Sequence, residues 1–161
     1  KEGWDAIPVE DRDGLTPAAP ASPEYRRYLF DLVGAGPAGR ATDAMDPSWD
    51  RFIRAQQCWD RAFACNIVTA LEAPEAPLVV GIIGRGHLEY GGGAPFQLRD
   101  LGVEDVAVLL PSEAPEHDLS SIRGIGDAIF RLDAPEPPVD TAKRKRPTVA
   151  DADKRMENSP Q

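Results

Sequence analysis

Apolar positions along the chain fall into stretches whose spacing predicts two helices, then strands. Tyr25, Tyr28, Leu29, Leu32 and Val33 recur at helical spacing. Before them, Ser22-Pro23-Glu24 supplies a side-chain cap, a proline at the first turn and an acid at the positive end of the helix dipole. Gly34 ends this helix. A longer helix is predicted over 48–71, opened by Asp46-Pro47, because Phe52, Gln56, Trp59, Phe63, Asn66 and Ala70 alternate at spacings of four and three. Gln56 and Asn66 are amides within that stripe, and burying an amide demands hydrogen-bond partners. Gln56 also sits one turn before Asp60, so this pair reads either as satisfied structural groups or as groups facing a cleft.

Pro74 and Pro77 break the helix, and Leu78-Val79-Val80-Gly81-Ile82-Ile83 follows as a continuous apolar run of strand length. A second such run covers 106–110, and the residues between hold a short helical stretch at 94–101, enough for a crossover. The two runs are expected to pair in parallel. Residues 122–132 read as either helix or strand. The fold class that results is α/β, with a parallel or mostly parallel sheet flanked by helices. Strands buried on both faces need more covering elements than one long helix provides, so the chain reads as an incomplete half-domain, a C-terminal half, over 1–133.

Composition changes this picture at the two ends. Residues 1–21 carry acids, prolines and the turn signal Asp13-Gly14 with too few apolar positions for an element, which reads as an extended surface arm. From residue 134 the chain turns to proline, charge and small residues around Lys143-Arg144-Lys145-Arg146, and 134–161 is expected to be a disordered charged tail. The formal net charge of −9 argues against nucleic acid and anionic membranes as partners. No apolar run is long enough for a transmembrane segment. Cys58 and Cys65 stand about 10 Å apart along one helix, too far to bridge, and read as packing residues.

The chemistry-bearing stretch is Gly84-Arg85-Gly86-His87-Leu88-Glu89-Tyr90-Gly91-Gly92-Gly93, directly after the first apolar run. Loops at the carboxyl ends of strands are where α/β proteins bind ligands. Gly84, Gly86, Gly91 and Gly93 permit close backbone approach or positive φ, while His87 and Tyr90 are suited to bind a metal or move a proton. Glu89 and Arg85 add one charge of each sign. The competing reading is a plain turn with a hydrogen-bonded histidine; His117, among Pro115, Glu116 and Asp118, is given no role.

Together, Ala55-Gln56-Gln57-Cys58-Trp59-Asp60, the glycine-rich stretch running on to Ala94-Pro95, and 106–111 resemble the ChaN-like haem-binding uptake family, related to the Tiki, TraB and erythromycin-esterase-like proteins. The resemblance spans 1–132. It implies a bacterial protein of iron uptake, a lipoprotein or periplasmic, outer-membrane-associated protein with haem iron as its cofactor. On that reading Tyr90 is the axial donor, since a phenolate suits ferric iron. His87 assists as second ligand or hydrogen-bond partner, and Arg85 or Arg99 pairs with propionates. The uncovered sheet or an exposed haem face implies a homo-oligomer. Two alternatives stand beside it. Gly84-x-x-His87 matches the GX2H element of Tiki-type metal-dependent hydrolases, with Glu89 assisting His87, and a catalytically inactive structural remnant is the other.

Overall fold

The computed structural model describes residues 4–34, 41–75, 78–112 and 122–132. His117, the tail beyond Leu132 and most of the Gly/Ala stretch after Gly34 lie outside them.

Helix α1 spans Pro23–Val33 and begins as its cap predicts: Ser22 Oγ accepts the Tyr25 N–H at 3.1 Å. It ends at Gly34, whose φ of 71° only glycine adopts freely and whose N–H donates to the Phe30 carbonyl. A short 3-10 turn, Pro47–Trp49, leads into helix α2, Asp50–Leu71. Asp46 starts that turn by accepting the backbone N–H groups of Thr42 at 2.9 Å and Ser48 at 2.8 Å. Those bonds favour the ionised form and hold the Asp46 carboxyl well below the usual carboxylate range. A depressed folded-state pKa stabilises the fold above the unfolded value and is lost as pH falls through the carboxylate range. Asp46→Ala should therefore lower the thermal midpoint at neutral pH, and the gap from the native chain should narrow as the buffer is taken below about pH 4; equal gaps at pH 7 and pH 3 in circular-dichroism melts would refute this.

Tyr25 and Leu29 of α1 pack with Ala41, Trp49 and Ile53 into one apolar core. Trp49 stacks on Phe52 at 4.5 Å between ring centroids and meets Phe30 edge-on at 5.4 Å. The buried stripe of α2 is Ile53, Asp60, Arg61, Ala64 and Cys65, one step round from the predicted stripe. Trp59 and Asn66 are exposed instead; Asn66 Nδ2 donates to the Ala62 carbonyl one turn back. The rotation has a chemical reason. Arg61 is buried because three partners meet it: Nε donates to Thr16 Oγ1, and Nη1 to Gln97 Oε1 and Asp100 Oδ2. Gln97 and Gln57 both donate to the Ala19 carbonyl, and Ala19 N donates back to Gln97. These bonds fasten the N-terminal arm across α2 and across helix α3, Ala94–Asp100. Cys58 and Cys65 are both free thiols.

The strands are strand β1, Leu109–Ser112, and strand β2, Ala128–Arg131, paired in parallel from Leu109↔Ala128 to Ser112↔Arg131. The chain is thus mixed α/β with a parallel sheet. Val108, Leu110 and Ile125 form its core, with Leu88 and Ile129 packed against them. The pairing expected between 78–83 and 106–110 does not form. The first run is extended but belongs to no ladder among the described residues, and β1 takes its partner from 122–132 instead, where 122–124 is a turn and only Ala128–Arg131 is strand. Nor is 78–83 buried on both faces: Leu78, Val80 and Ile82 are exposed, Ile82 at 99%. Val79 and Ile83 are half-buried, and the backbone at Gly81 lies close to the Ile67 side chain. The run therefore keeps the two-residue alternation of a strand without its hydrogen bonds, because a single helix supports only one of its faces. No helix among the described residues is long and apolar enough to cross a membrane.

Candidate functional site

The glycine-rich stretch folds as two consecutive 3-10 turns, Arg85–His87 and Glu89–Gly91, before α3. The first is closed by the N–H groups of His87 and Leu88 on the carbonyls of Gly84 and Arg85. At the second, Tyr90 takes a left-handed backbone, φ 56° and ψ 12°, and Gly91 follows at φ 64°. For a tyrosine this conformation costs on the order of 1–2 kcal/mol. One contribution that offsets it is the bond from Tyr90 N to the Ile125 carbonyl, which ties the loop to the sheet.

Two phenol–carboxylate pairs anchor the loop to the helices. Tyr25 of α1 donates its hydroxyl to Asp60 Oδ2 of α2 at 2.9 Å, and Asp60 Oδ1 meets His87 Nδ1 at 2.7 Å. Asp60 has no exposed surface, so its carboxylate is held by these two partners alone among the described residues. Tyr28, one turn on, donates to Glu89 Oε2 at 2.7 Å, while Arg85 Nε pairs with Glu89 Oε1. Burial pushes both tyrosine pKa values up, and the carboxylates they face push them further, so both phenols stay protonated and act as donors. Glu89 is nearly buried, and its contacts are with Tyr28 and Arg85 rather than with His87.

Gly92 and Gly93 are required by this packing. A Cβ at Gly92 would lie 2.6 Å from the Tyr25 ring. One at Gly93 would overlap the His87 carbonyl and approach Tyr25 Oη at 2.8 Å and Asp60 Oδ1 at 2.9 Å. The loop passes over the Tyr25–Asp60–His87 chain so closely that only a bare backbone fits.

His87 and Tyr90 occupy different surroundings. The imidazole lies against α2, 5.4 Å from the Phe63 ring edge-on and 5.9 Å from Trp59. Tyr90 is half exposed, edge-on to Tyr28 at 5.5 Å, and lines a groove of about 710 Å³ between α1 and the loop. Tyr25, Tyr28, Arg27, Leu32 and Glu89 share that wall, and His87 does not. Of the sequence candidates, Asp60 joins His87, Arg85 joins Glu89, and Arg99 reaches the loop at Gly91. Gln56 is half-buried on α2, and the neighbouring Gln57 carries the amide contact to the arm. Tyr25, Tyr28 and Arg27 were not singled out from sequence. The two tyrosines at i and i+3 read as packing residues, and only the carboxylates opposite them reveal another role. No three His, Cys, Asp or Glu side chains among the described residues stand together as a metal-binding group.

The protein-family model described as haem-binding uptake, Tiki superfamily, ChaN matches residues 1–98. The chain belongs to this family. The matched residues take in α1, α2, the loop and most of α3, which together carry both the groove and the Asp60–His87 pair, while β1 and β2 lie beyond them. Neither curated proteins nor solved structures give a match. Membership in the family supports a haem-binding role in general.

Proposed function

We propose that this member of the haem-binding uptake family would hold haem in the groove between α1 and the loop, with Tyr90 Oη supplying the phenolate that binds its iron. The observation that carries the reading is the state of the three phenols on that wall. Tyr25 and Tyr28 are protonated and committed to Asp60 and Glu89. Tyr90 is half exposed, and its hydroxyl makes no hydrogen bond among the described residues. A single uncommitted phenol above aromatic and aliphatic side chains is a donor set that fits ferric haem. The group would supply a ferric centre that phenolate oxygen stabilises in the oxidised state. Leu32 and the faces of Tyr25 and Tyr28 would meet the macrocycle, and Arg27 on the groove wall suits a propionate. Arg85 and Arg99, the sequence candidates for that contact, stand outside the groove's lining, Arg85 paired with Glu89 and Arg99 beside Gly91, and would reach a propionate only from the loop side. His87 lies outside the groove and would hold the loop that carries Tyr90 through its contact with Asp60. In the same reading the chain serves bacterial iron uptake, in the periplasm or at the outer membrane, and an exposed haem face joins two copies.

Titration of the protein with ferric haem tests the proposal. The native chain should give a saturable Soret shift with the charge-transfer absorption of a phenolate complex. Tyr90→Phe should remove that absorption and weaken binding about tenfold or more, equivalent to roughly 1.4 kcal/mol. Identical spectra and affinities for Tyr90→Phe and the native chain would defeat it.

A further inference from the structure

The extended run 78–83 leaves both its outer face and its backbone unused. Leu78, Val80 and Ile82 are 76%, 76% and 99% exposed, while Val79 and Ile83 are half-buried and Gly81 lies against Ile67 of α2. No backbone hydrogen bond joins 78–83 to another segment among the described residues. Scattered exposed apolar residues are ordinary, but a row of them in register along one extended segment marks a contact surface. Proteins protect a free strand edge with a lysine, a proline, a bulge or a covering element. Residues 78–83 contain no charge and no proline, and their outer face is open among the described residues. Charge marks the two ends of the run unequally. Glu72 and Glu75 stand exposed just before it and enter no salt bridge among the described residues, whereas Arg85 beyond it is paired with Glu89.

We infer that 78–83 is a docking edge for an extended, alternating apolar strand of another polypeptide, with Lys or Arg at its end beside Glu72 and Glu75. The run is already extended and seated on α2 by one face, so a partner strand forms its ladder on a preorganised edge. Hydrogen bonds between the two backbones supply affinity. Specificity comes from the partner's apolar side chains, which meet Leu78, Val80 and Ile82 as cross-strand neighbours. Charge disfavours a second copy at this edge: two chains of net −9 repel each other, and Arg85, the cation next to the run, is already paired with Glu89. A basic-ended strand meets the opposite sign at Glu72 and Glu75 instead. None of these residues lines the groove between α1 and the loop, so this inference goes beyond the haem reading and fails separately from it.

Fluorescence anisotropy with the full chain tests it, using a fluorescein-labelled peptide of alternating valine and threonine with lysines at both ends. The native protein should give a saturable rise in anisotropy. The same peptide N-methylated at adjacent central residues keeps its side chains but loses donors on both edges, and should bind about tenfold more weakly or not at all. A glutamate-ended version should bind several-fold more weakly at low salt, the gap closing as sodium chloride is raised. Ile82→Asp sets a charge where the partner's side chains would lie. Because Ile82 is 99% exposed, this variant should keep the native circular-dichroism spectrum. It should lose about tenfold or more in affinity, since the partner would desolvate an unpaired carboxylate. Glu75→Lys, also at an exposed position, should narrow the preference for lysine ends, and it decides the matter if Ile82→Asp does not fold. No saturable anisotropy change, equal binding by folded Ile82→Asp or by the N-methylated peptide, or no preference for lysine over glutamate ends would each overturn the inference. So would a dimer in sedimentation velocity that Ile82→Asp dissolves, since it would assign the edge to a second copy.

Discussion

Gly93→Ala should destabilise the protein by about 3 kcal/mol, near the upper end for forcing one methyl into a packed site. The added carbon would overlap the His87 carbonyl, which is backbone and cannot rotate aside, and would come to 2.8 Å from Tyr25 Oη and 2.9 Å from Asp60 Oδ1. Relief requires the loop to lift from α1 and α2, which breaks the Asp60–His87 contact as well as the packing. Two controls isolate close approach from backbone freedom. Gly102 has a φ of 86° with nothing within 4 Å of an added Cβ, so Gly102→Ala should cost only backbone strain, about 1 kcal/mol. At Gly84 the nearest atom is a His87 ring carbon at 3.6 Å, an ordinary contact, and alanine should be nearly silent. Urea denaturation of the three variants gives the order directly, and a Gly93→Ala midpoint as high as that of Gly84→Ala would contradict the packing described.

These glycines show which parts of the site the sequence makes legible. The run Gly91-Gly92-Gly93 announces a tight loop, but glycine's conformational freedom applies at Gly91 alone, with φ 64°, whereas Gly92 and Gly93 are small because Tyr25 lies against them. The distinction depends on a residue more than sixty positions away. Both long helices were legible because their signals are local: Ser22 and Asp46 cap their own turns, and Gly34 stops its own helix. The inward face of α2 was not, because hydrophobic spacing assigns polar residues outward by default. Asp60 and Arg61 face inward since Tyr25, His87, Thr16 and Gln97 satisfy them, and each of those partners lies on another element. Trp59 was drawn into the predicted core by the same rule and stands exposed beside His87. The apolar run at 78–83 was legible as extended chain. Its pairing was not, because a ladder depends on which neighbour is at hand, and β2 holds that place beside β1. The loop that carries His87 and Tyr90 was found from residue type and position, yet spacing by three did not place the two rings in one pocket, since the left-handed turn at Tyr90 redirects the second.

Asp60→Ala should be the most damaging single change to the site, costing about 3 kcal/mol or more. Removing the carboxylate leaves the Tyr25 hydroxyl and His87 Nδ1 facing a small cavity. A buried donor stripped of its acceptor costs roughly 1–3 kcal/mol, and here there are two. Tyr25 is 3% exposed and wedged under Gly92, so it has no path to water. His87 can take up the other tautomer, which lowers its share of the penalty but turns its lone pair inward. Asp60→Asn differs sharply, because an amide of the same size satisfies one group as acceptor and the other as donor, and Tyr25 Oη can accept as well as donate. Its stability should fall by less than half as much. Tyr25→Phe removes the second donor, so the double variant Tyr25→Phe/Asp60→Ala should recover part of the loss, as expected when the penalty lies in the orphaned hydroxyl. A double variant no more stable than Asp60→Ala would instead place the cost in the cavity.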